Sequence, residues 1–462
     1  MNLNTGSIRV ITIPLRFNRV AVVALTLVMA VFLPEVVRAA DCVTTSDAVV
    51  NGVTLRAQPS SNNAPRGTLK KGESLPLVSS MPRWVEMRLA NGDSAFASKS
   101  WTNIVSCPAA PAVSLTTPAP MGTTGAAGTG YELHAIDVGT GLSVLVRGPD
   151  FTLLYDAGSN DDLALGPGNR TMAYLKTLSP PVTKIDHVIL SHPHRDHVEL
   201  LPDVINAFKP HEVWNSGAYN NICGYRNFLF AVAADTGVDY HTATVDEGNE
   251  AVPIAKATCY GVDQPDQTLM LKHGKRIGHD PIALGQGATM TILYSDGSPH
   301  ASFNENSLVV RLDLGTRRML LMGDAEAGGR QLSTVAPTTT SIKGILLACC
   351  AADIKADVQI VGHHGSKTSS RKAFIDQVGA HVFVISAGPT KYASVVLPDA
   401  EVVDELAALG PTFRTDLNDD TCGESASKVG PDNDGKAGGC DNVLLTIAPA
   451  GVVGADYRSV SD

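Results

Sequence analysis

One short run of residues constrains the fold of this chain more than any other feature. The run Ser191-His192-Pro193-His194-Arg195-Asp196-His197 directly follows an apolar segment, Asp186 to Leu190, that has the pattern of a buried strand. Imidazole nitrogens and carboxylate oxygens suit Zn(II), Mn(II) or Fe(II), and a loop at a strand end can aim alternate side chains at two separate ions. The run therefore predicts a metal site. Its candidate ligands are His192, His194, Asp196 and His197.

A metal site also needs ligands from distant parts of the chain, and two later strand ends supply them. The apolar run 318–322 ends in Gly323-Asp324, and the run 358–361 ends in Gly362-His363-His364. Because α/β sheets place their sites at the carboxyl edge of the strands, we expect the three strand ends to meet there. In this arrangement Asp324 is positioned to bridge two ions.

From Tyr131 onward the chain alternates strand-like and helix-like segments, which is typical of a layered α/β domain. Motif by motif this region resembles the metallo-β-lactamase superfamily, with HPHRDH standing for HxHxDH. Within it, the chain is most similar to the hydrolase domain of the ComEC/Rec2 competence proteins. The similar segments lie between about residues 131 and 390 and read "HAIDVGTGLSVLV", "LLYDAGS", "NENSLVVRL", "MLLMGDAE" and "VGHHGSKTSS". The resemblance implies an αββα sandwich.

The resemblance also implies roles for individual residues. It assigns His192 and His194 to a first metal, and Asp196 and His197 to a second. Asp324 would bridge the two ions, and Asp196 and Asp324 would act in catalysis.

Other positions receive roles from the same comparison. In other branches a ligand directly follows a strand-ending Gly, so we expect His363 to complete the second site. His364 is then left as a proton donor or phosphate contact. Asp137 would orient the ligands from a second layer, while Ser366 and Lys367 would contact the substrate.

This chain departs from the superfamily pattern at the first metal. Many members contribute a third His there, whereas the corresponding segment here is Asn304-Glu305-Asn306-Ser307. His300 lies nearby and is the alternative ligand. The expected cofactor is therefore one or two Zn²⁺ ions, with Mn²⁺ as the alternative metal.

The ends of the chain predict export and a second, smaller unit. Residues 1–40 combine arginines, an apolar run and small residues in the pattern of a cleaved secretory signal peptide. Residues 41–107 have short strands and turns, and they resemble a bacterial SH3-like β-barrel that could contact peptidoglycan. Residues 108–130 are rich in Pro, Ala, Gly and Thr, as in a linker. Residues 131–462 form the hydrolase domain.

Export lets the eight cysteines pair as structural disulfides. The pairs Cys42 with Cys107 and Cys422 with Cys440 are the first expectations, and Cys223 with Cys259 is a weaker third. Sequence alone cannot select among the connectivities. The adjacent Cys349 and Cys350 would be a strained pair.

Charge narrows the function that these features predict. The net charge of -10 argues against a broad basic surface for nucleic acid, which is expected only as a substrate. The leading hypothesis is an exported phosphodiesterase or nuclease of ComEC-like type, in the periplasm or secreted, with a metal-bound hydroxide as nucleophile. We expect the protein to have no stable membrane span once the signal peptide is cleaved, and to be anchored in the membrane if the peptide is retained. The alternatives are a β-lactam, lactone or other ester or amide hydrolase and a non-catalytic envelope-binding protein.

Overall fold

The structure is a computed structural model that describes residues 41–46, 48–56, 65–80, 83–89, 94–106, 130–161, 169–392, 394–417 and 440–458. The predicted signal peptide and the predicted linker up to residue 129 lie outside these ranges. Within them, no helix is both long enough and apolar enough to cross a membrane.

The N-terminal unit is an all-β structure of seven strands. Strands β2 and β5 alternate buried and exposed residues, so Val53, Leu55, Val85 and Met87 enter one small core. The strand order is β3-β2-β6-β5-β4-β1-β7. The all-β prediction is confirmed, and the SH3-like identity stays a prediction. The strands are β1 Asp41–Thr45, β2 Gly52–Arg56, β3 Pro65–Lys70, β4 Ser74–Ser80, β5 Trp84–Arg88, β6 Ser94–Ser98 and β7 Thr102–Ser106.

The C-terminal region contains two large sheets. The ten-stranded sheet has the order β14-β17-β13-β12-β11-β10-β9-β8-β25-β26, and the seven-stranded sheet runs from β18 to β24 in chain order. The first comprises β8 Tyr131–Ala135, β9 Ser143–Arg147, β10 Thr152–Ala157, β11 His187–Leu190, β12 Glu212–Asn215, β13 Asp239–His241, β14 Gly248–Ile254, β17 Gln267–His273, β25 Val443–Ile447 and β26 Val453–Tyr457. The second comprises β18 Ile282–Gly285, β19 Ala288–Tyr294, β20 Val309–Leu314, β21 Arg317–Leu321, β22 Val358–Ile360, β23 Val382–Ile385 and β24 Thr412–Arg414.

Helices cover the outer face of each sheet. One apolar core lies between the sheets, a second lies under α1, α3 and α4, and a third lies under α5, α6 and α7. Strand β11 is buried at all four positions because it is covered on both faces. The αββα sandwich is confirmed. The helices are α1 Arg170–Lys176, α2 Arg195–Val198, α3 Leu201–Phe208, α4 Cys223–Ala234, α5 Ile342–Cys349, α6 Lys372–Val378 and α7 Ala400–Ala407.

Segment 215–287, in which the sequence showed no motif, extends the first sheet. It contributes α4, β13, β14 and β17, together with a small hairpin of β15 Ala257–Cys259 and β16 Val262–Gln264. The disulfide Cys223–Cys259 joins α4 to this hairpin, as predicted. Adjacent Cys349 and Cys350 also form a disulfide. Cys42 and Cys440 are disulfide-bonded, but Cys107 and Cys422, their predicted partners, lie outside the described residues.

Parallel strands bring the polar motifs to one edge. Strands β10, β11 and β12 are parallel in the first sheet, and β21, β22 and β23 are parallel in the second. The carboxyl ends of β10 and β11 lead into Asp156 and Ser191, while β21 leads to Asp324 and β22 to His363. The expected meeting of three strand ends is therefore present, with a fourth from β10.

Two glycines let the backbone of the His192–His197 loop lie directly against the end of β10. A Cβ atom on Gly158 would lie 2.2 Å from the amide nitrogen of His197 and 2.3 Å from the carbonyl carbon of Asp196. A Cβ atom on Gly141 would lie 2.8 Å from the carbonyl oxygen of Asp196. Backbone atoms cannot move aside as a flexible side chain can, so these positions require glycine.

We expect Gly158→Ala to push α2 away from β10 and to lower the free energy of unfolding by about 1–3 kcal/mol, the usual cost of overpacking. Urea unfolding of the purified chain measures this change. Gly278→Ala is the matched control, because a Cβ atom there would meet nothing within 4 Å. Equal stabilities for the two variants would contradict the close approach.

Candidate metal centre

Two groups of side chains could each hold a metal ion. In each group the ligand atoms lie within 4.8 Å of one another, and all but one of the residues are buried. The first group is His192, His194 and Asp324, and the second is Asp196, His197 and His364.

The carboxylate of Asp324 stands between the two groups. Its Oδ2 lies 3.7 Å from Nε2 of His192, and its Oδ1 lies 3.2 Å from Nε2 of His197 and 3.6 Å from Nε2 of His364. One oxygen therefore faces each group. This is the geometry that a bridging ligand needs.

Hydrogen bonds to the far nitrogen of each ring fix which nitrogen faces the centre. Ser191 Oγ donates its proton to Asp156 Oδ2 at 2.7 Å, so it can only accept from Nδ1 of His192 at 3.0 Å. Nδ1 of His197 donates to Asp156 Oδ2 at 2.8 Å. Nδ1 of His364 donates to the carbonyl oxygen of Ser386 at 2.8 Å. All three rings therefore direct Nε2 toward the centre, and a deprotonated Nε2 in this position can coordinate a metal.

The order of the histidine pair differs from the expectation. His364, rather than His363, joins Asp196 and His197, with its Nε2 3.5 Å from Asp196 Oδ2. The cause is local backbone conformation: His363, His364 and Gly365 have φ of 52°, 51° and 77°. This left-handed turn aims His364 into the centre. His363 stays at the rim, where its Nδ1 contacts Thr368 Oγ1 at 2.8 Å and its Nε2 lies 3.8 Å from Asp324 Oδ2.

Unsatisfied atoms test whether the centre suits a metal. Nε2 of His197, Oδ1 of Asp324 and Nε2 of His364 are buried and make no hydrogen bond to any residue that the structure describes. A buried polar atom without a partner costs roughly 1–3 kcal/mol. Three such atoms converge here with lone pairs directed at one another, so a divalent cation fits this donor set.

The pKa values of the buried groups also favour a cation. Burial lowers the pKa of His192 well below its usual value, and the charge of His197 lowers it further, so this ring is neutral and ready to coordinate. Burial opposes the charged form of His197, but the carboxylates of Asp324 and Asp156 hold its pKa well above the ordinary value. The second group thus lies in a strongly negative environment.

Asp156, rather than Asp137, orients the ligands. Asp137 was expected to do so, but its carboxylate accepts hydrogen bonds from the backbone N–H groups of Gly139, Cys440 and Asp441. It therefore fixes the segment before β25. Asp156 is the penultimate residue of β10 and has a φ of 57°, and its position in the "LLYDAGS" segment was the signal that could have identified it.

Asp196 has two further partners that the sequence did not indicate. The hydroxyl of Tyr392 donates to Asp196 Oδ2 at 2.5 Å, and Nδ2 of Asn160 donates to the same oxygen at 3.2 Å. Asn160 also donates to the Tyr392 hydroxyl at 3.3 Å. Both residues follow strands and lie in segments without a recognisable motif.

The segment that replaces the usual third His contributes no histidine or carboxylate to the first group. Nδ2 of Asn306 donates to the carbonyl oxygens of Asp296 and Ser298. His300, the alternative, is partly exposed and pairs with Asp296 Oδ2 at 2.9 Å. Among the described His, Cys, Asp and Glu residues, three therefore form the first group.

The expected substrate contacts are engaged elsewhere. Lys367 Nζ pairs with Glu401 Oε2 at 2.5 Å. Ser366 is buried, and its Oγ lies within hydrogen-bond distance of Thr368 and Arg330. The role of Ser366 and Lys367 as substrate contacts stays a prediction.

The assignment of His364 rather than His363 to the second group can be tested directly. We expect His364→Ala to weaken binding of an ion at the second group by at least roughly tenfold, since even changes around a ligand have effects of that size. His363→Ala should have a smaller effect. Zn²⁺ titration with a competing chromophoric chelator measures both, and circular dichroism confirms folding. The reverse ranking would return His363 to the second group.

Asp137 gives a test by pH. Burial raises its pKa to about 6 from an ordinary 3.8. The folded chain therefore holds this proton more tightly than the unfolded chain. The contribution of Asp137 to the free energy of unfolding is greatest below about pH 3.8 and is lost as pH rises through 6. The difference corresponds to about 3 kcal/mol.

In Asp137→Asn this position cannot ionise. The free energy of unfolding of the variant minus that of wild type should therefore increase by up to about 3 kcal/mol as pH rises from 4 to 6.5. Urea unfolding at a series of pH values provides the comparison. Asp353→Asn, which changes an exposed carboxylate, is the control and should follow the wild-type curve. A constant difference between Asp137→Asn and wild type would contradict the raised pKa.

Comparison with known proteins agrees with this geometry. The family model "Metallo-beta-lactamase superfamily" matches residues 136–388. Recombination protein 2 of Haemophilus influenzae is 26% identical over 258 residues, which are 56% of this chain and 24% of the relative. ComE operon protein 3 of Bacillus subtilis is 37% identical over 98 residues, which are 21% of this chain and 11% of the relative. The chain thus spans a quarter or less of each relative.

Among solved structures, the metallo-beta-lactamase fold protein YhfI of Bacillus subtilis is similar at 14% identity, with a TM-score of 0.31, over 62% of this chain and 95% of YhfI. The family match covers more than half of the chain and includes every residue of both ligand groups. This chain belongs to the metallo-beta-lactamase superfamily and is a metal-dependent hydrolase.

Proposed function

We propose that the chain is an exported phosphodiesterase that acts with one or two divalent ions, Zn²⁺ being the first choice and Mn²⁺ the second. The observation that carries this proposal is the position of Asp324, whose two carboxylate oxygens face two adjacent ligand groups. Paired ions a few ångströms apart are the usual arrangement for in-line displacement at phosphorus.

When bound, the ions would activate a water molecule and stabilise negative charge on the attacked phosphate. The protein supplies the fixed frame. Asp156 holds His197 and the start of the ligand loop, and Tyr392 and Asn160 hold Asp196 Oδ2. His363 lies at the rim with 17% of its side chain exposed. We infer that this ring, rather than His364, contacts the substrate.

The charges around the centre favour a substrate that is bound mainly through the ions. Arg330 pairs with Asp399, and Lys367 pairs with Glu401. Arg371 is buried and donates to backbone carbonyl oxygens. Because these cations already have partners, a phosphodiester is engaged through the centre and not along a basic groove. This favours a small phosphodiester, or a single reactive site in nucleic acid, over tight nonspecific nucleic-acid binding.

The choice of bond rests on resemblance. The matched relatives are named Recombination protein 2 and ComE operon protein 3, and the HHGS motif links this chain to the ComEC/Rec2 branch. We extend to this chain only the class of bond, a phosphodiester, because it spans a minor part of those relatives. Export is supported by the signal-peptide pattern and by disulfides in the described region. Contact of the N-terminal unit with peptidoglycan is part of the same proposal.

Three chromogenic or titratable substrates separate the candidate reactions: bis-p-nitrophenyl phosphate, a lactone and nitrocefin. We expect hydrolysis of the phosphodiester, its loss after treatment with a chelator, and its recovery on adding Zn²⁺ or Mn²⁺. Asp324→Asn should lower kcat/KM by at least on the order of 10²-fold, because it weakens both ligand groups at once. Asp353→Asn is the exposed control and should keep wild-type activity.

Other outcomes of this experiment discriminate clearly. Turnover of nitrocefin or the lactone alone would sink the phosphodiesterase proposal. A purified chain that holds no metal, and whose Asp324→Asn variant behaves as wild type, would favour a non-catalytic envelope-binding protein instead.

A further inference from the structure

A cavity of about 310 Å³ lies in the extension of the first sheet, outside the two ligand groups. Its walls come from α4, β13, β14, β17 and the connection that follows β12. The volume is within the range of small-molecule sites in proteins, which begins at roughly 300 Å³. Tyr219, Tyr225, Tyr240 and Glu250 are the lining residues that give it chemical character.

Three tyrosines line the cavity. The hydroxyls of Tyr225 and Tyr240 both donate to Oδ1 of Asn215, at 3.1 and 3.2 Å. These two side chains are buried, whereas Tyr219 is 39% exposed at the rim. The rings of Tyr219 and Tyr225 lie 5.8 Å apart at an angle of 78°. Because two of the hydroxyls are already bonded, the rings offer mainly their aromatic surfaces to a ligand.

Glu250 gives the cavity a negative charge. It is the one charged residue among the described residues that line the cavity, and its carboxylate is 40% exposed. Nε2 of His273, which is buried, lies 2.8 Å from Oε2 of this carboxylate and is within hydrogen-bond distance of it. Neighbouring Lys272 points away and pairs with Asp239 at 2.5 Å. Burial raises the pKa of Tyr240, and the Glu250 carboxylate contributes to the rise.

The cavity adjoins the metal centre through residues 215–220. Asn215 donates from Nδ2 to the carbonyl oxygen of Leu190 at 3.4 Å, and Asn220 donates to that of Pro193 at 2.8 Å. The ligand loop follows β11, whereas the cavity wall includes residues at the end of β13. Two strand spacings separate them, or roughly 10 Å at about 4.8 Å for each spacing.

We propose that this cavity is a binding site for an organic ammonium group. Aromatic faces attract cations through their quadrupoles, and a carboxylate on the wall adds a direct electrostatic attraction. The same carboxylate, with no lysine or arginine among the described lining residues, disfavours an anion. This inference goes beyond the proposed hydrolysis and does not depend on it.

Isothermal titration of the full mature chain with choline, 3,3-dimethyl-1-butanol and inorganic phosphate tests the proposal. The alcohol is the neutral isostere of choline, so it reports shape without charge. We expect saturable binding of choline and at least tenfold weaker binding of the isostere. Any binding of phosphate should be the same in wild type and in Glu250→Gln. Absence of saturable choline binding, or equal binding of the isostere, would overturn the proposal.

Variants assign the binding to this cavity. Glu250→Gln and Tyr219→Ala should each raise the Kd for choline at least tenfold, and Tyr219 is a rim residue whose replacement leaves the buried wall intact. Glu247→Gln is the matched control, because Glu247 is exposed and does not line the cavity. Unchanged affinity in both cavity variants, with folding verified by thermal unfolding, would place the binding elsewhere. Hydrolysis of bis-p-nitrophenyl phosphate, which carries no cation, tests the metal centre separately.

Discussion

The buried carboxylate of Asp156 is the interaction on which the rest of the centre depends. It accepts hydrogen bonds from the backbone N–H and the hydroxyl of Ser191 and from Nδ1 of His197, at 2.6, 2.7 and 2.8 Å. One side chain at the end of β10 thus holds both ends of the ligand loop that follows β11. Without it, His197 would lose its Nδ1 partner, and Ser191 Oγ would no longer be constrained to accept from His192. The loop would still carry the candidate ligand side chains, but their orientation toward the centre would no longer be held.

Strain in the backbone is concentrated at the same place. Of the five described non-Gly residues with positive φ, Asp156 and His364 belong to the centre and His363 lies at its rim. Such conformations cost of order 1–3 kcal/mol each and persist only where the surroundings impose them. The close approach of Gly158 to the loop backbone has the same effect, because it leaves α2 no room to relax. Stability is therefore given up locally to keep the ligands in position.

The sequence identified most of the fold and the ligand-bearing segments because both depend on short-range patterns. An apolar strand that ends in His, Asp or Gly-His can be recognised from its own residues. The sequence alone therefore predicts that His192, His194, Asp196, His197 and Asp324 belong to the centre. The choice between His363 and His364 depends on three consecutive left-handed residues, which composition does not specify.

Long-range contacts were also beyond the sequence. Tyr392 reaches Asp196 across 196 positions of the chain, and Asp137 is bonded to a segment about 300 positions away. The pairing of Lys367 with Glu401 on α7 likewise follows from tertiary packing. Such roles depend on which distant segments the two sheets bring together. The sequence motifs around these residues do not predict those contacts.

The shared use of Asp324 couples the two ligand groups thermodynamically. An ion held at one group would fix the carboxylate, so that less conformational entropy would be lost when a second ion binds. The same ion would withdraw negative charge from the oxygen that faces the other group, which would oppose the second binding step. Where electrostatics outweighs preorganisation, the singly loaded chain is a distinct species that persists over a wide range of metal concentration. The number of ions in the centre would then depend on the free metal concentration in the compartment as well as on the ligands that the sequence provides.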